Sequence, residues 1–246
     1  AAPTLGRVAL GHGPGRRSRF LNVQRVTRPP SPMAVGTWIL SMYGPLAGVA
    51  AVSEMAQMTG LTDLAGRLPW ALRVPARLLA SAGRPTGIGA ALVAPAVASY
   101  TAVLLSDTAT PTWHDAYQHL PFFFVGSAAP ASGGLGMIST PVSQPGPARR
   151  LAIAGVVLEI ATDERMEAAM GLTAEPMHEG RAGAYLRIAK VLNIIGAAGT
   201  VLLGRRSRVA SVISGAALMA GSAYTRFGIF EAGQQSARDP DRIGRP

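Results

Sequence analysis

Residues 33–52 read Met-Ala-Val-Gly-Thr-Trp-Ile-Leu-Ser-Met-Tyr-Gly-Pro-Leu-Ala-Gly-Val-Ala-Ala-Val, a run without a charged side chain. A transmembrane helix needs about 20 consecutive apolar residues, and this run has that length. A helix of a soluble protein would carry one apolar stripe, whereas this segment is apolar on every side. The run therefore predicts a helix surrounded by lipid, ending near Glu54.

Five further apolar runs lie downstream of the first. The weakest of them begins at Leu151 and meets Glu159 and then a charged stretch. The others cover residues 87–106, 120–138, 186–203 and 209–227. The sequence therefore predicts an all-α fold, a polytopic transmembrane helix bundle of about six spans, in a multi-pass protein of the cell membrane.

The predicted domain organisation has three parts. A basic interfacial or docking segment covers residues 1–32, the transmembrane helix bundle covers 33–230, and a polar tail covers 231–246. The first part mixes several arginines with Phe20 and Leu21, which suits an interfacial segment and equally a solvated loop.

The amino-acid composition favours a membrane protein over a nucleic-acid-binding protein. Only 15% of the 246 residues are charged, against about 25% in an ordinary soluble domain. The net charge of +10 comes from basic residues that sit between apolar runs rather than along one polar face. Loop charge on a membrane protein is therefore favoured over a nucleic-acid-binding surface. Membrane lipid is an expected partner, and nucleic acid is not.

Redox metal centres have few possible ligands in this sequence. Cysteine is absent, which excludes disulfides, thiolate nucleophiles and Cys-ligated clusters in the chain. A di-haem membrane cytochrome needs axial histidines inside facing helices. The four histidines instead fall in predicted loops or at their edges: His12, His114, His119 and His178. No haem, no iron–sulfur cluster and no metal site is expected.

Small residues recur at spacings that suit helix packing. Glycine and alanine let membrane helices approach closely, so these positions predict packing and nothing more specific. The pairs are Gly44 with Gly48, Gly196 with Gly199, and Ala217 with Gly221.

Tyr100 lies near the end of the second run, in Ser-Tyr-Thr-Ala-Val-Leu-Leu-Ser-Asp. A phenol in an apolar span needs a hydrogen-bond partner, and a quinone carbonyl would supply one. A belt tyrosine at the membrane interface is the alternative. Asp107 and His114 follow in the next loop, beside Trp113 and Tyr117. That mixture suits a proton relay, although aromatic residues at a helix end are also plain interface anchors.

Glu159 is an ionisable residue inside the fourth run. Such a residue is costly within a membrane span and by default indicates function, so it joins Asp107 and His114 as a candidate for proton relay. The alternative is that the helix is shorter than the run and Glu159 marks its end.

His12 lies in the sequence Gly-His-Gly-Pro-Gly. This segment is not predicted to be a phosphate-binding loop, because no strand precedes it and no P-loop Lys-Ser/Thr follows it.

Two stretches resemble signatures of the NrfD/PsrC (polysulfide reductase membrane subunit) family. The first combines residues 19–22, Arg-Phe-Leu-Asn, with residues 31–40, Ser-Pro-Met-Ala-Val-Gly-Thr-Trp-Ile-Leu. The resemblance covers about residues 12–230, more weakly after Ile138. The residues that match the second signature are Tyr100-Thr101, Leu104-Leu105, Asp107-Thr108, Pro111, Trp113, Leu120-Pro121 and Ser127-Ala128.

The resemblance implies an eight-helix, haem-free anchor that reacts with a quinone (menaquinone or ubiquinone). Such an anchor exchanges electrons with a ferredoxin-like, four-cluster iron–sulfur subunit, which is itself bound to a molybdopterin catalytic subunit. The quinone-binding residues expected here are Tyr100 and, as the next candidate, His12.

The chain departs from the family pattern in two places. The family has two further helices before the Arg-Phe-Leu-Asn motif. It also usually reads His-Asp-Leu-Gly-Arg-Pro just before that motif, where this chain reads His12-Gly-Pro-Gly-Arg-Arg17. The aspartate and the proline are therefore missing.

The expected function is that of a quinone-reactive membrane subunit, which passes electrons between the quinone pool and an iron–sulfur partner and is not catalytic alone. Two alternatives belong to other classes. One is a small permease in which Glu159 and Lys190 line a substrate path. The other is a purely structural membrane anchor.

Overall fold

The computed structural model describes residues 32–60, 70–141, 143, 146–204 and 206–238. His12 and most of the basic segment 1–32 lie outside the described residues. The described part is built from helices, with no strand. Its helices are α1 (Pro32–Met58), α2 (Trp70–Ser106), α3 (Pro111–Asp115), α4 (Leu120–Ser139), α5 (Gly146–Met170), α6 (Glu175–His178), α7 (Gly180–Leu202) and α8 (Arg208–Arg238), with one 3-10 turn at Gly171–Ala174.

The all-α membrane bundle is confirmed, but the predicted number of about six spans is wrong. Among the described residues, four helices are long and apolar enough to cross a membrane: α1, α2 from Arg77 onward, α4 and α7. Helices form at the two other predicted places as well. These two helices are too polar to count as membrane spans. Helix α5 carries charges on both sides of Glu159, and α8 is rich in serine and glycine and contains Arg226. The chain is a multi-pass membrane protein.

The two largest extensions past the predicted ends are in the second and the last long helix. The second was expected to begin at residue 87 and begins at Trp70, and the last was expected to end at residue 227 and ends at Arg238. An apolar run predicts which residues face lipid, but it does not predict where the helix ends. Arginine and alanine have high helix propensity, so the helices continue into the basic or polar residues beyond the runs.

The chain divides into two compact units at Tyr100–Thr101. In the first unit, α1 and the part of α2 up to Tyr100 pack against each other in antiparallel fashion. Gly36 lies against Tyr100, Leu46 against Gly89, and Ser53 against Gly83, so that ascending positions on α1 meet descending positions on α2. Glycine on one side of each contact lets the two helices approach closely.

In the second unit, α4 packs on both α5 and α8, and α7 packs on α8. Where α4 crosses α8, the backbone atoms of the two helices are in direct contact. A Cβ atom added to Gly134 would lie 2.5 Å from the Gly215 carbonyl oxygen, and one added to Gly215 would lie 2.6 Å from the Gly134 carbonyl oxygen. Neither position has room for a side chain.

The predicted packing role of small residues is confirmed at the α7–α8 contact. A Cβ on Gly196 would lie 2.7 Å from Leu218 Cγ, Gly199 lies against Ser214, and Gly221 lies against Asn193. Gly48 does not have this role, because a Cβ added there would have no described neighbour within 4 Å.

Arg208, the first residue of α8, closes the C-terminal end of α4. Its guanidinium donates to the Met137 carbonyl oxygen at 3.0 Å and also to the carbonyl oxygens of Ile138 and Thr140. The last carbonyl groups of a helix have no partner within the helix, and the helix dipole favours a cation beside them.

Arg208→Ala is therefore expected to lower the free energy of unfolding by about 1–2 kcal/mol. Thermal unfolding of the detergent-purified chain measures the loss. Arg206→Ala removes a neighbouring exposed arginine and serves as the control. An equal loss in the two variants would contradict the capping role.

Candidate functional site

Glu159 lies in the interior of α5, with only 5% of its surface exposed. The helix continues for eleven residues beyond it, to Met170, so the interpretation that Glu159 marks a helix end is wrong. Its carboxylate accepts two hydrogen bonds from other helices. Asn193 Nδ2 on α7 donates to Oε2 at 2.8 Å, and Thr225 Oγ1 on α8 donates to Oε1 at 2.7 Å.

A glycine on α4 makes this arrangement possible. A Cβ added to Gly126 would lie 2.8 Å from the Glu159 backbone nitrogen, so α4 and α5 touch at the level of the carboxylate. Phe124 on α4 stacks under the Arg226 guanidinium at 4.8 Å from its ring centroid. Arg226 follows Thr225 on α8 and adds a positive charge that acts on Glu159. Four helices thus contribute to the surroundings of one buried carboxylate.

Two cavities share the lining residues Asp163, Leu186 and Lys190, and the inner one also borders the Glu159 carboxylate. The inner cavity has a volume of about 30 Å³ and is lined by Glu159, Asn193 and Thr225 among others. The outer cavity has a volume of about 180 Å³ and is lined by Glu167 and His178 among others.

Asp163 and Lys190 line both cavities and form an ion pair, with 3.6 Å between Lys190 Nζ and Asp163 Oδ2. Two further groups pair at the wall of the outer cavity, where His178 Nε2 lies 3.6 Å from Glu167 Oε1. Polar and charged side chains therefore extend from the buried carboxylate to the exposed His178.

Tyr100 belongs to the first unit, and its ring packs on α1. A Cβ added to Gly36 would lie 2.5 Å from Tyr100 Cδ2 and 2.7 Å from Cε2. The ring is partly buried, and no described residue forms a hydrogen bond with its hydroxyl group. The phenol ring thus lies at the contact between α1 and α2.

Asp107 and His114 both belong to the second unit, and Asp107 directly follows the end of α2. His114 is in α3, and its Nδ1 lies 3.3 Å from the carbonyl oxygen of Ser106, the residue before Asp107. Asp107 itself is exposed. Glu159, the third residue predicted for proton relay, has its hydrogen-bond partners on α7 and α8 instead.

No protein-family model, curated protein or solved structure matches this chain. Among the described residues, no group of three or more His, Asp or Glu side chains is arranged to hold a metal ion.

Sequence reasoning missed Asn193, Thr225 and Asp163. Asn193 gave a usable signal, because an amide in the middle of the fifth apolar run needs a buried partner. Thr225 gave none, since threonine in a helix commonly satisfies itself on its own backbone. Asp163 was read as part of a charged stretch after a span, and only the continuation of α5 to Met170 places it beside Lys190.

Proposed function

We propose that this chain is a quinone-reactive membrane subunit of an oxidoreductase complex. It would sit in the cell membrane and pass electrons between the quinone pool and a four-cluster iron–sulfur subunit bound to a molybdopterin subunit. The resemblance of residues 19–40 and 100–128 to the NrfD/PsrC signatures is the starting point. The observation that carries the proposal is the contact between Gly36 and Tyr100, because one residue comes from each signature.

The residues at this contact fit a quinone headgroup. A headgroup needs an apolar surface for its ring and a hydrogen-bonding group for its carbonyl oxygen. The α1–α2 pair offers exposed apolar side chains to the bilayer, such as Trp38 and Leu92. The Tyr100 hydroxyl, without a described partner, offers the hydrogen bond. The bound quinone supplies two-electron, two-proton chemistry, and the protein supplies orientation and proton transfer.

Asp107 and His114 are proposed as proton-relay residues. Asp107 is exposed to water, and a neutral imidazole such as that of His114 has one nitrogen that donates a hydrogen bond and one that accepts. The short helix α3 holds the His114 ring beside the Ser106 carbonyl. His12, the second proposed quinone contact, lies outside the described residues.

The experiment that tests the proposal is Tyr100→Phe in the reconstituted complex. The substitution keeps the ring on Gly36 and removes only the hydroxyl. A lost hydrogen bond of about 1 kcal/mol should lower quinol-linked turnover about five- to ten-fold. Electron transfer from an artificial donor directly to the iron–sulfur subunit should not change.

Tyr43→Phe is the matched control, since Tyr43 is also a partly buried tyrosine of the first unit. It should leave both activities unchanged. Full quinol activity in Tyr100→Phe would make Tyr100 an ordinary interface tyrosine and remove the main support for the proposal.

A small permease is the second candidate function, and one observation favours it. Glu159 and Lys190, the residues expected to line such a path, do line one cavity. A volume of about 30 Å³ admits a water molecule or a small ion and nothing larger. Co-purification of a cluster-bearing subunit from native membranes supports the first function. A chain that purifies alone and moves an ion across liposomes supports the second.

A further inference from the structure

Thr225 has two acceptors for one hydroxyl hydrogen. Its Oγ1 lies 2.7 Å from Glu159 Oε1 and 3.1 Å from the Gly221 carbonyl oxygen. A threonine hydroxyl can donate one hydrogen bond and accept others. At any moment, therefore, the hydrogen points either to Glu159 or to Gly221.

This geometry satisfies Glu159 in both protonation states. When the carboxylate is ionised, Thr225 donates to it. When Oε1 carries a proton, that O–H donates to Thr225 Oγ1, and the threonine hydrogen turns to the Gly221 carbonyl. Asn193 Nδ2 donates to Oε2 in either state. If the neighbours could form hydrogen bonds with only one protonation state, the other state would leave a buried polar group without a partner, which costs free energy.

The inner cavity supplies an independent observation. Glu159 and Asn193 both line it, and both are buried. At about 30 Å³, the cavity is large enough for one water molecule beside the Glu159 carboxylate.

The charged groups around Glu159 come from three helices. Asp163 lies one turn along on its own helix, Lys190 lies on α7, and Arg226 lies on α8; α4 contributes the neutral Phe123 and Ser127. The Asp163–Lys190 pair borders both cavities, so it stands between Glu159 and the outer cavity.

We propose that Glu159 is a proton-binding site reached from the surface through the outer cavity and past the Asp163–Lys190 pair. A proton from water in the outer cavity passes to the Asp163 carboxylate and then, through water in the inner cavity, to Glu159 Oε1. Glu159 becomes a neutral carboxylic acid, Asp163 regains its charge, and release follows the same steps in reverse. The path lies wholly in the second unit and does not depend on Tyr100 or on a quinone.

Infrared spectroscopy of the full chain in liposomes tests the site. A pH step should produce a carboxylic acid C=O band that is absent in Glu159→Gln. Thr225→Val removes the acceptor of the acid O–H and should shift that band, whereas Thr225→Ser keeps the hydroxyl and should restore it. A band that persists in Glu159→Gln, or that ignores Thr225→Val, would overturn the assignment.

Transfer into D₂O tests the path with Glu159 left intact, so it does not depend on the folding of Glu159→Gln. Asp163→Asn should slow deuteration of the Glu159 acid about a hundred-fold, the lower range of what a positioned acid–base group contributes. Glu164→Gln, at the exposed neighbouring position on α5, is the matched control and should leave the rate unchanged. Equal rates in the two variants would show that protons reach Glu159 by another route.

Discussion

Gly36→Leu is expected to lower quinol-linked turnover of the reconstituted complex about a hundred-fold. The Cβ of any side chain at this position lies 2.5 Å from Tyr100 Cδ2, well inside van der Waals contact, so the tyrosine ring must move. A displacement of about 1 Å at a reacting group costs up to about a hundred-fold in rate. The obstacle is a single side chain rather than backbone, so we expect the helix pair itself to fold.

Gly48→Leu is the control for this prediction. It makes the same substitution on the same helix, at a glycine with no described neighbour within 4 Å. It should keep full quinol-linked turnover, and both variants should keep electron transfer from an artificial donor to the iron–sulfur subunit. Full turnover in Gly36→Leu would mean that the position of the Tyr100 ring has no part in the reaction, and the proposed quinone contact would be wrong.

Gly134→Leu is expected to disrupt the second unit. Here the added Cβ meets the Gly215 backbone at 2.5 Å, and backbone cannot rotate out of the way as a side chain can. Overpacking of a well-packed contact typically costs about 1–3 kcal/mol, occasionally more, and we expect at least about 3 kcal/mol because α4 and α8 must separate. That is a large share of a stability of about 5–15 kcal/mol.

Thermal unfolding in detergent, followed by far-ultraviolet circular dichroism and size-exclusion chromatography, measures this effect. Gly134→Leu should unfold at a much lower temperature or elute as an aggregate. Gly48→Leu should behave like the unchanged chain. If Gly134→Leu is as stable as Gly48→Leu, the α4–α8 crossing at Gly134 and Gly215 is not a close one.

The sequence predicts the placement of the long helices well and their number of spans less well. Six apolar runs coincide with six long helices, because apolar length and helix formation go together in lipid. The fourth and sixth runs form helices that are too polar to count as spans, because α5 carries charges on both sides of Glu159 and α8 contains Arg226. Inside a bundle, Glu159 or Thr225 can face protein while the residues beside it face outward.

The candidate site was predicted in part. A lone charge such as Glu159 stands out in an apolar run, and so does a phenol such as Tyr100. Their partners do not, because Asn193 and Thr225 are neutral residues on other helices and reach Glu159 only through tertiary packing. The Gly36–Tyr100 contact likewise joins two distant positions whose pairing depends on the register of α1 against α2.

The two helices too polar to count as spans each follow an apolar one in the chain. Helix α5 comes directly after α4 and packs on it, and α8 comes after α7 and packs on α7 and α4. Synthesis proceeds from the N-terminus, so each polar helix leaves the ribosome when its apolar partner has already been made. Its glutamate, threonine and arginine side chains can then be buried against protein rather than exposed to lipid. The order of the helices along the chain is therefore also an order in which they can assemble.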